Sequence, residues 1–88
     1  MLEKILTVSN RAGIHARPAA MLVQAIKDFT CAIYLEKDQH RIKGKSIMGV
    51  ITLGAAYGST IKVITDGKDE AQAMEVIAQL FESKFEEE

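Results

Sequence analysis

The chain has 88 residues, of which 48% are hydrophobic, so it can bury one core in one domain without help from a metal or a disulfide. Its formal net charge is −1, and no basic stripe is interleaved with aromatic residues, so nucleic-acid binding is not expected. A single cysteine and the lack of a long apolar run favour a cytoplasmic protein without a signal peptide or membrane insertion.

Charge is distributed unevenly between the two halves of the chain. Residues 1–45 hold eight Lys/Arg and four Asp/Glu, a balance of +4, whereas residues 46–88 hold three and eight, a balance of −5. A basic first half fits acidic protein partners, although a solvated surface is the ordinary role of any single basic side chain. The basic residues that could face such partners are Arg17, Lys27, Lys43 and Lys45.

The first third of the chain predicts a strand, a loop and a helix. Residues 2–8 alternate as a strand, with Leu6 and Val8 facing the core. The helix begins near Ala16, because Pro18 costs little only in a first turn, and it runs to residue 27 or 28. Its apolar stripe is formed by Ala19, Leu22, Val23 and Ile26, with Phe29 on the same side.

A hairpin follows this helix. Residues 31–36 alternate as a second strand, with Ile33 and Leu35 inward. A turn over residues 37–39 then leads into a short strand that carries Ile42.

A short helix is predicted after the hairpin. Ser46 is a strong N-cap candidate for a helix from Ile47 to about Leu53, in which Val50 and Leu53 can pack inward. Exposed apolar residues near lysines would indicate a docking patch, and the alternative is that neighbouring loops bury them. These residues are Ile47, Met48 and Ile51.

The last third predicts one more strand and one more helix. Residues 60–65 form the strand, with Ile61 and Val63 inward, and Asp69 caps the helix. Residues 86–88 are expected to be a solvated acidic tail. The apolar stripe of this helix is Ala71, Met74, Ile77, Ala78 and Phe81.

The predicted order is therefore β-α-β-β-α-β-α within a single domain over residues 1–88. One mainly antiparallel four-stranded sheet with three helices on one face buries both long helix stripes and leaves the other sheet face to solvent. The expected fold class is α+β, an open-faced β-sandwich.

Residues 13–18, Gly-Ile-His-Ala-Arg-Pro, place a nucleophilic side chain at the start of the first helix. The glycine permits a sharp turn, so His15 falls at the N-cap or beside it. The backbone N–H groups of Ala16 and Arg17, with the Arg17 guanidinium, would form an anion site beside a neutral imidazole, which is a competent nucleophile. The alternative is a mediocre cap followed by a solvated arginine.

Two other reactive side chains have plainer interpretations. Cys31 is expected to be a small apolar residue at a strand start rather than a reactive thiol. His40 is expected to lie exposed on the hairpin, and no cluster of Cys, Asp and His accompanies it, so no metal site is predicted.

Two segments carry a family resemblance. Residues 10–20, Asn-Arg-Ala-Gly-Ile-His-Ala-Arg-Pro-Ala-Ala, resemble the active-site segment of the HPr family, the histidine phosphocarriers of the bacterial phosphoenolpyruvate-dependent sugar phosphotransferase system. Residues 45–50, Lys-Ser-Ile-Met-Gly-Val, resemble the regulatory serine region of the same family. The resemblance covers essentially the whole chain and implies an open-faced sandwich that brings the first helix start near the helix after Ser46.

The resemblance also implies roles and partners. His15 would accept a phosphoryl group from the phosphohistidine of enzyme I and pass it to enzyme IIA domains, with Ala16 and Arg17 binding the phosphate and no cofactor. Ser46 would be phosphorylated by HPr kinase/phosphorylase, and a catabolite-control transcriptional repressor would be a further partner. We expect a monomer. The surface covered by partners would include Ala20, Gln24, Lys27, Ile47, Met48 and Ile51.

One departure and two alternatives accompany this interpretation. Many relatives have a polar residue where this chain has Ala12, so one side-chain hydrogen bond to the phosphate region is not available. A purely regulatory paralogue would resemble the family but lack the histidine, and His15 is present. A passive interaction module without phosphate chemistry could use the same fold equally well.

Overall fold

Hydrophobic periodicity places every predicted element to within one or two residues. The computed structural model describes residues 1–86, and in chain order its elements are β1 (Leu2–Thr7), α1 (Ala16–Ile26), β2 (Ala32–Lys37), β3 (His40–Lys43), α2 (Ile47–Thr52), β4 (Thr60–Asp66) and α3 (Glu70–Glu82). The order β-α-β-β-α-β-α is confirmed. Within these 86 residues no helix is both long enough and apolar enough to cross a membrane.

The four strands form one antiparallel sheet in the order β1-β4-β2-β3. β4 lies between β1 and β2, with Ile61 opposite Leu6 and Val63 opposite Leu35. These four side chains belong to the core shared with the helices, whereas Ile5, on the other face of β1, is 61% exposed. The predicted α+β open-faced sandwich is therefore confirmed.

The core contains most of the side chains that the periodicity assigns to it, with one exception in α1 and one in α3. Val23, predicted in the apolar stripe of α1, is half-buried and not part of the core. Met74, Ile77, Ala78 and Phe81 are buried as predicted. Ala71 is exposed, so its assignment to the core is wrong, and Ala73 is fully buried instead. Because α3 packs against α1 as well as β1 and β4, its buried side extends to Ala73.

The hairpin between β2 and β3 closes through two residues in the left-handed region. Asp38 has φ 51° and Gln39 has φ 69°. Two consecutive positive φ angles give the turn whose twist matches that of the flanking strands. Lys37 and His40 are the paired strand ends on either side, so the predicted hairpin is confirmed.

Asp69 occupies the N-cap position of α3, but its side chain does not cap the helix. Its carboxylate instead accepts hydrogen bonds from the backbone N–H groups of Thr30 at 2.8 Å and Cys31 at 2.9 Å. The predicted capping role is therefore wrong, because the start of β2 comes close enough to take the carboxylate. The bond from Thr30 is the main reason that the pKa of Asp69 falls to about 2.

A buried phenylalanine closes the core after α3. Lys84, Phe85 and Glu86 form a short 3-10 turn in which all three φ angles are positive, between 52° and 58°. The Phe85 side chain is fully buried and meets Phe81 edge to face, with 5.1 Å between ring centroids. The sequence pattern gives no sign of this turn. Of the predicted acidic tail, Glu86 is exposed and residues 87–88 lie outside the described part of the chain.

Substitution of Asp69 should change how stability depends on pH. The pKa of Asp69 is about 2 in the folded state and near 3.9 in an unfolded chain, so the ionised carboxylate stabilises the fold fully above about pH 4. That stabilisation is lost as the pH falls through 2. We expect Asp69→Asn to be less stable at pH 7 and to lose less further stability between pH 4 and pH 2, as measured by urea unfolding.

Asp28→Asn is the matched control, since it removes an exposed carboxylate outside this contact. If the free energy of unfolding of Asp69→Asn falls between pH 4 and pH 2 as steeply as that of wild type, the assignment of the low pKa to these backbone bonds is contradicted.

Candidate functional site

His15 is the N-cap residue of α1, where the sequence places it. Its backbone is extended, with φ −108° and ψ −162°, and its carbonyl accepts the first intrahelical hydrogen bond, from Ala19 N–H at 2.9 Å. The imidazole is exposed and does not cap the helix. The ring is therefore accessible to another molecule.

The first turn of α1 presents donors beside this ring. Ala16 and Arg17 are the first two helical residues, so their N–H groups have no acceptor within the helix. Pro18 comes third and has no N–H to satisfy, and its ring is buried. Ala16 and Arg17 are both exposed, so an anion at the imidazole would meet helix N–H groups and a guanidinium.

The loop before His15 is held close to a second loop. Ile14 N–H donates to the carbonyl of Ala55 at 2.8 Å. Gly13 has φ +77°, and a Cβ there would lie 2.7 Å from the same oxygen. Glycine is required at this position both by the backbone conformation and by the close approach of the two chains.

A buried asparagine clamps the same loop, and sequence reasoning assigned it no role. Asn10 is fully buried, and its side-chain Nδ2 donates a hydrogen bond to the backbone carbonyl of Gly13 at 2.7 Å. The backbone carbonyl of Asn10 accepts a second hydrogen bond from Gly13 N–H at 3.1 Å. An asparagine three residues before a glycine at a strand end is a recognisable turn signal that could have identified this clamp.

The residues predicted to face partners come from two helices that pack against each other. On α1, Gln24 and Lys27 are exposed and Ala20 is half-buried. On α2, Met48 is 69% exposed, Ile47 is 41% exposed and Ile51 is half-buried. Ile47 and Met48 are thus exposed, whereas Ile51 is only partly exposed and packs against the core. The role of the three residues as a docking surface remains a prediction.

Ser46 is the N-cap of α2, as predicted. Its Oγ accepts a hydrogen bond from Gly49 N–H at 3.1 Å, and the residue is exposed. The ammonium of Lys45 donates to the carbonyl of Phe29, beyond the end of α1. Lys45 thus makes a hydrogen bond within the fold, and both Lys43 and Lys45 are exposed.

Cys31 and His40, the other two residues with reactive side chains, have the burial and exposure expected of them. Cys31 is 2% exposed, and burial is the main cause that raises the pKa of its thiol, which makes it a poor nucleophile. His40 is exposed on the first residue of β3.

Residues 2–83 match the family described as PTS HPr component phosphorylation site. The chain belongs to the HPr family. The HPr of Treponema pallidum is 48% identical to this chain, with both proteins covered in full. The HPr-like protein Crh of Halalkalibacterium halodurans is 44% identical over 96% of this chain and all of that protein.

Solved HPr structures agree with the fold. The crystal structure of HPr-C-His from Thermoanaerobacter tengcongensis superposes with a TM-score of 0.95 at 42% identity, covering 100% of this chain and 99% of that one. An HPr dimer from the same organism gives 0.79 at 41% identity, covering 99% and 100%. Membership of the HPr family places the chain among phosphocarriers of the phosphotransferase system. The Crh of Bacillus subtilis, which is 36% identical with a TM-score of 0.76 over 96% of this chain and 97% of that one, is described as a catabolite repression protein.

The close approach at Gly13 gives a prediction with an internal control. Gly54 also has a positive φ, +64°, but a Cβ there would meet nothing within 4 Å. Gly54→Ala should therefore cost only the left-handed conformation, roughly 1–2 kcal/mol. Gly13→Ala should lower the free energy of unfolding by clearly more, because its Cβ also overlaps the Ala55 carbonyl, and urea unfolding measures both. Equal losses in the two variants would contradict the packing argument.

Proposed function

We propose that this chain carries a phosphoryl group on His15, which it takes from the phosphohistidine of enzyme I and donates to sugar-specific enzyme IIA domains. The observation that carries the proposal is an exposed imidazole at the N-cap of α1, beside helix N–H groups and the Arg17 guanidinium. HPr proteins are phosphocarriers, so His15 would be a covalent intermediate between two separate enzymes.

The transfer is a displacement at phosphorus. A ring nitrogen of His15 attacks, the nitrogen–phosphorus bond of the donor phosphohistidine breaks, and the phosphoryl group keeps its three oxygens. Positioning and stabilisation of charge on those oxygens are the main requirements of such a step. The N–H groups of Ala16 and Arg17 and the Arg17 guanidinium can supply them.

A carrier must also release the group it accepts. Because the site is exposed, its hydrogen bonds compete with water and stabilise the phosphorylated form only moderately. Ala12 is exposed and offers no side-chain donor, so stabilisation would rest on the backbone and Arg17. This moderate stabilisation suits a group that must be passed on to a second protein.

Partners would dock around His15 on the two packed helices. One part of this surface would be formed by Ala20 and Gln24 of α1 and by Lys27 at its C-cap. The other part would be formed by the apolar side chains of α2, which are Ile47, Met48 and Ile51. An acidic partner surface would complement Arg17 and Lys27. We propose that the protein works in the cytoplasm, as a monomer when it is not bound to a partner.

A regulatory role resembling that of Crh is the second candidate. It is favoured by the 44% identity to the Crh of Halalkalibacterium halodurans. In that role the phosphorylated Ser46 would bind a transcriptional repressor, and His15 would take no part. Phosphoryl acceptance at His15 distinguishes the two roles.

The first test of the carrier role concerns His15. Incubation with phosphoenolpyruvate and catalytic enzyme I should add one phosphoryl group to the wild-type chain and none to His15→Ala, as measured by intact mass. His40→Ala is the matched control, because it removes the other exposed histidine and should be phosphorylated like wild type.

Equal phosphorylation of His15→Ala and wild type would show that a residue other than His15 accepts the phosphoryl group. An unphosphorylated wild-type chain would instead favour the regulatory role or a passive interaction module.

We also propose that Ser46 is a regulatory site, phosphorylated by HPr kinase/phosphorylase, and that its modification inhibits transfer to His15. Ser46 is exposed and its Oγ already accepts the N–H of Gly49, so phosphate oxygens could be accommodated with little change in α2. The added charge, about −1.5 to −2, would lie beside Ile47 and Met48. An acidic partner docking there would meet repulsion and costly desolvation.

The charge mechanism predicts different kinetics for two substitutions at Ser46. Ser46→Asp should be phosphorylated at His15 by enzyme I more slowly than Ser46→Ala, because both variants lose the serine but only one gains a charge. Circular dichroism should show the same total helix content in both variants, as expected if α1 stays intact. Equal rates for the two variants would leave Ser46 as a helix cap without this regulatory effect.

A further inference from the structure

The loop that delivers His15 is also attached to the far end of the chain. Ser9 begins this loop, and its Oγ donates to the carbonyl of Phe81, in the last turns of α3, at 2.9 Å. The contact joins residues 72 positions apart and is partly buried. This side-chain bond attaches the loop to α3. Backbone bonds of Val8 and Ile14 attach the same loop to residues 55–59.

Hydrogen bonds within the loop connect its start near Ser9 to its end at Gly13. The buried Asn10 side chain and the Gly13 N–H each bridge residues 10 and 13. A displacement at Ser9 would therefore be passed to Gly13 rather than absorbed in between, and Gly13 lies two residues before His15. The position of the first residue of this loop thus affects the start of α1.

The Phe81 carbonyl is itself held in place. Phe81 is 4% exposed and Phe85 packs against its ring, with no exposed surface of its own. The three left-handed residues that bring Phe85 back into the core are sterically unfavourable, and burial of an aromatic side chain offsets that cost. The end of α3 is therefore a fixed point to which a loop can be attached.

We propose that Ser9 is a positioning residue for phosphoryl transfer: its bond to the Phe81 carbonyl fixes the loop that sets His15 and the first N–H groups of α1. The inference rests on the proposed carrier function. Ser9 does not touch the reacting atoms. Its loss should reduce the rate of transfer within the partner complex and leave partner affinity nearly unchanged, because the docking residues lie on the surfaces of α1 and α2.

The chain offers a matched control for this experiment. Ser83 Oγ donates to the carbonyl of Leu80 at 3.1 Å, so Ser83→Ala also removes one hydroxyl from the end of α3 but does not touch the loop. Ser9→Thr keeps a hydroxyl and should restore wild-type behaviour. The maximal rate and KM of His15 phosphorylation by enzyme I are measured for Ser9→Ala, Ser83→Ala and Ser9→Thr. Amide hydrogen exchange is measured at Gly13 and Ile14 in the same variants.

We expect Ser9→Ala to lower the maximal rate by roughly threefold to tenfold with little change in KM, since small misplacements of reacting groups slow reactions strongly. Exchange at Gly13 and Ile14 should rise by roughly tenfold as the loop opens more often. Ser83→Ala and Ser9→Thr should resemble wild type in both measurements.

The proposal is overturned if Ser9→Ala matches Ser83→Ala in either measurement, or if Ser9→Ala changes KM alone. If the wild-type chain accepts no phosphoryl group, the proposed carrier function is wrong, and Ser9 has no positioning role in it. In that case the exchange data would still show whether Ser9 holds the loop, so the two failures are distinguishable.

Discussion

The carbonyl of Ala55 is the contact on which the geometry of the site depends. It accepts the N–H of Ile14 at 2.8 Å, and only a residue without a Cβ can precede Ile14 so close to that oxygen. Two further backbone bonds, from Val8 to Ser59 and from Gly58 to Val8, tie the same pair of loops together. The chain therefore enters α1 from a fixed direction, and His15 leaves the loop at the N-cap with its ring turned outward.

This arrangement stabilises a bound anion only moderately, and moderate stabilisation suits a carrier. Enzymes enclose their substrates in clefts where charge interactions are strong, because water is excluded. Here the imidazole, Ala16 and Arg17 are all exposed, and the anion would share its oxygens with solvent. In the proposed transfer, the donor or acceptor protein would supply the rest of the environment around the anion.

Local signals were sufficient for most of the fold and for the position of His15. Alternation gave the strands, Pro18 fixed the first turn of α1, and Ser46 marked the start of α2, because each of these effects acts within a few residues. Sequence distance explains the failures. Asp69 was expected to cap its own helix, yet its carboxylate bonds to Thr30 and Cys31.

The missed contacts share this non-local character. The Ala55 carbonyl, the Ser9 contact with Phe81 and the burial of Phe85 all depend on how distant segments meet. A single sequence gives little information on such pairings. Hydrophobic periodicity shows that a residue is polar or apolar, but not which distant residue a hydroxyl or aromatic side chain will contact. The Asn10 clamp is different, because it joins residues only three positions apart and an asparagine at that spacing from a glycine is a local turn signal.

The order of strands in the sheet has a consequence for how the protein is made. β4 lies between β1 and β2, so neither has its central partner until residues 60–66 have been synthesised. Only the hairpin of β2 and β3 can form from neighbouring sequence, and the Phe85 ring is added later still. A nascent chain therefore exposes the apolar side chains of its first strand until β4 has been made, and this non-local pairing makes folding slower than pairing of neighbouring strands.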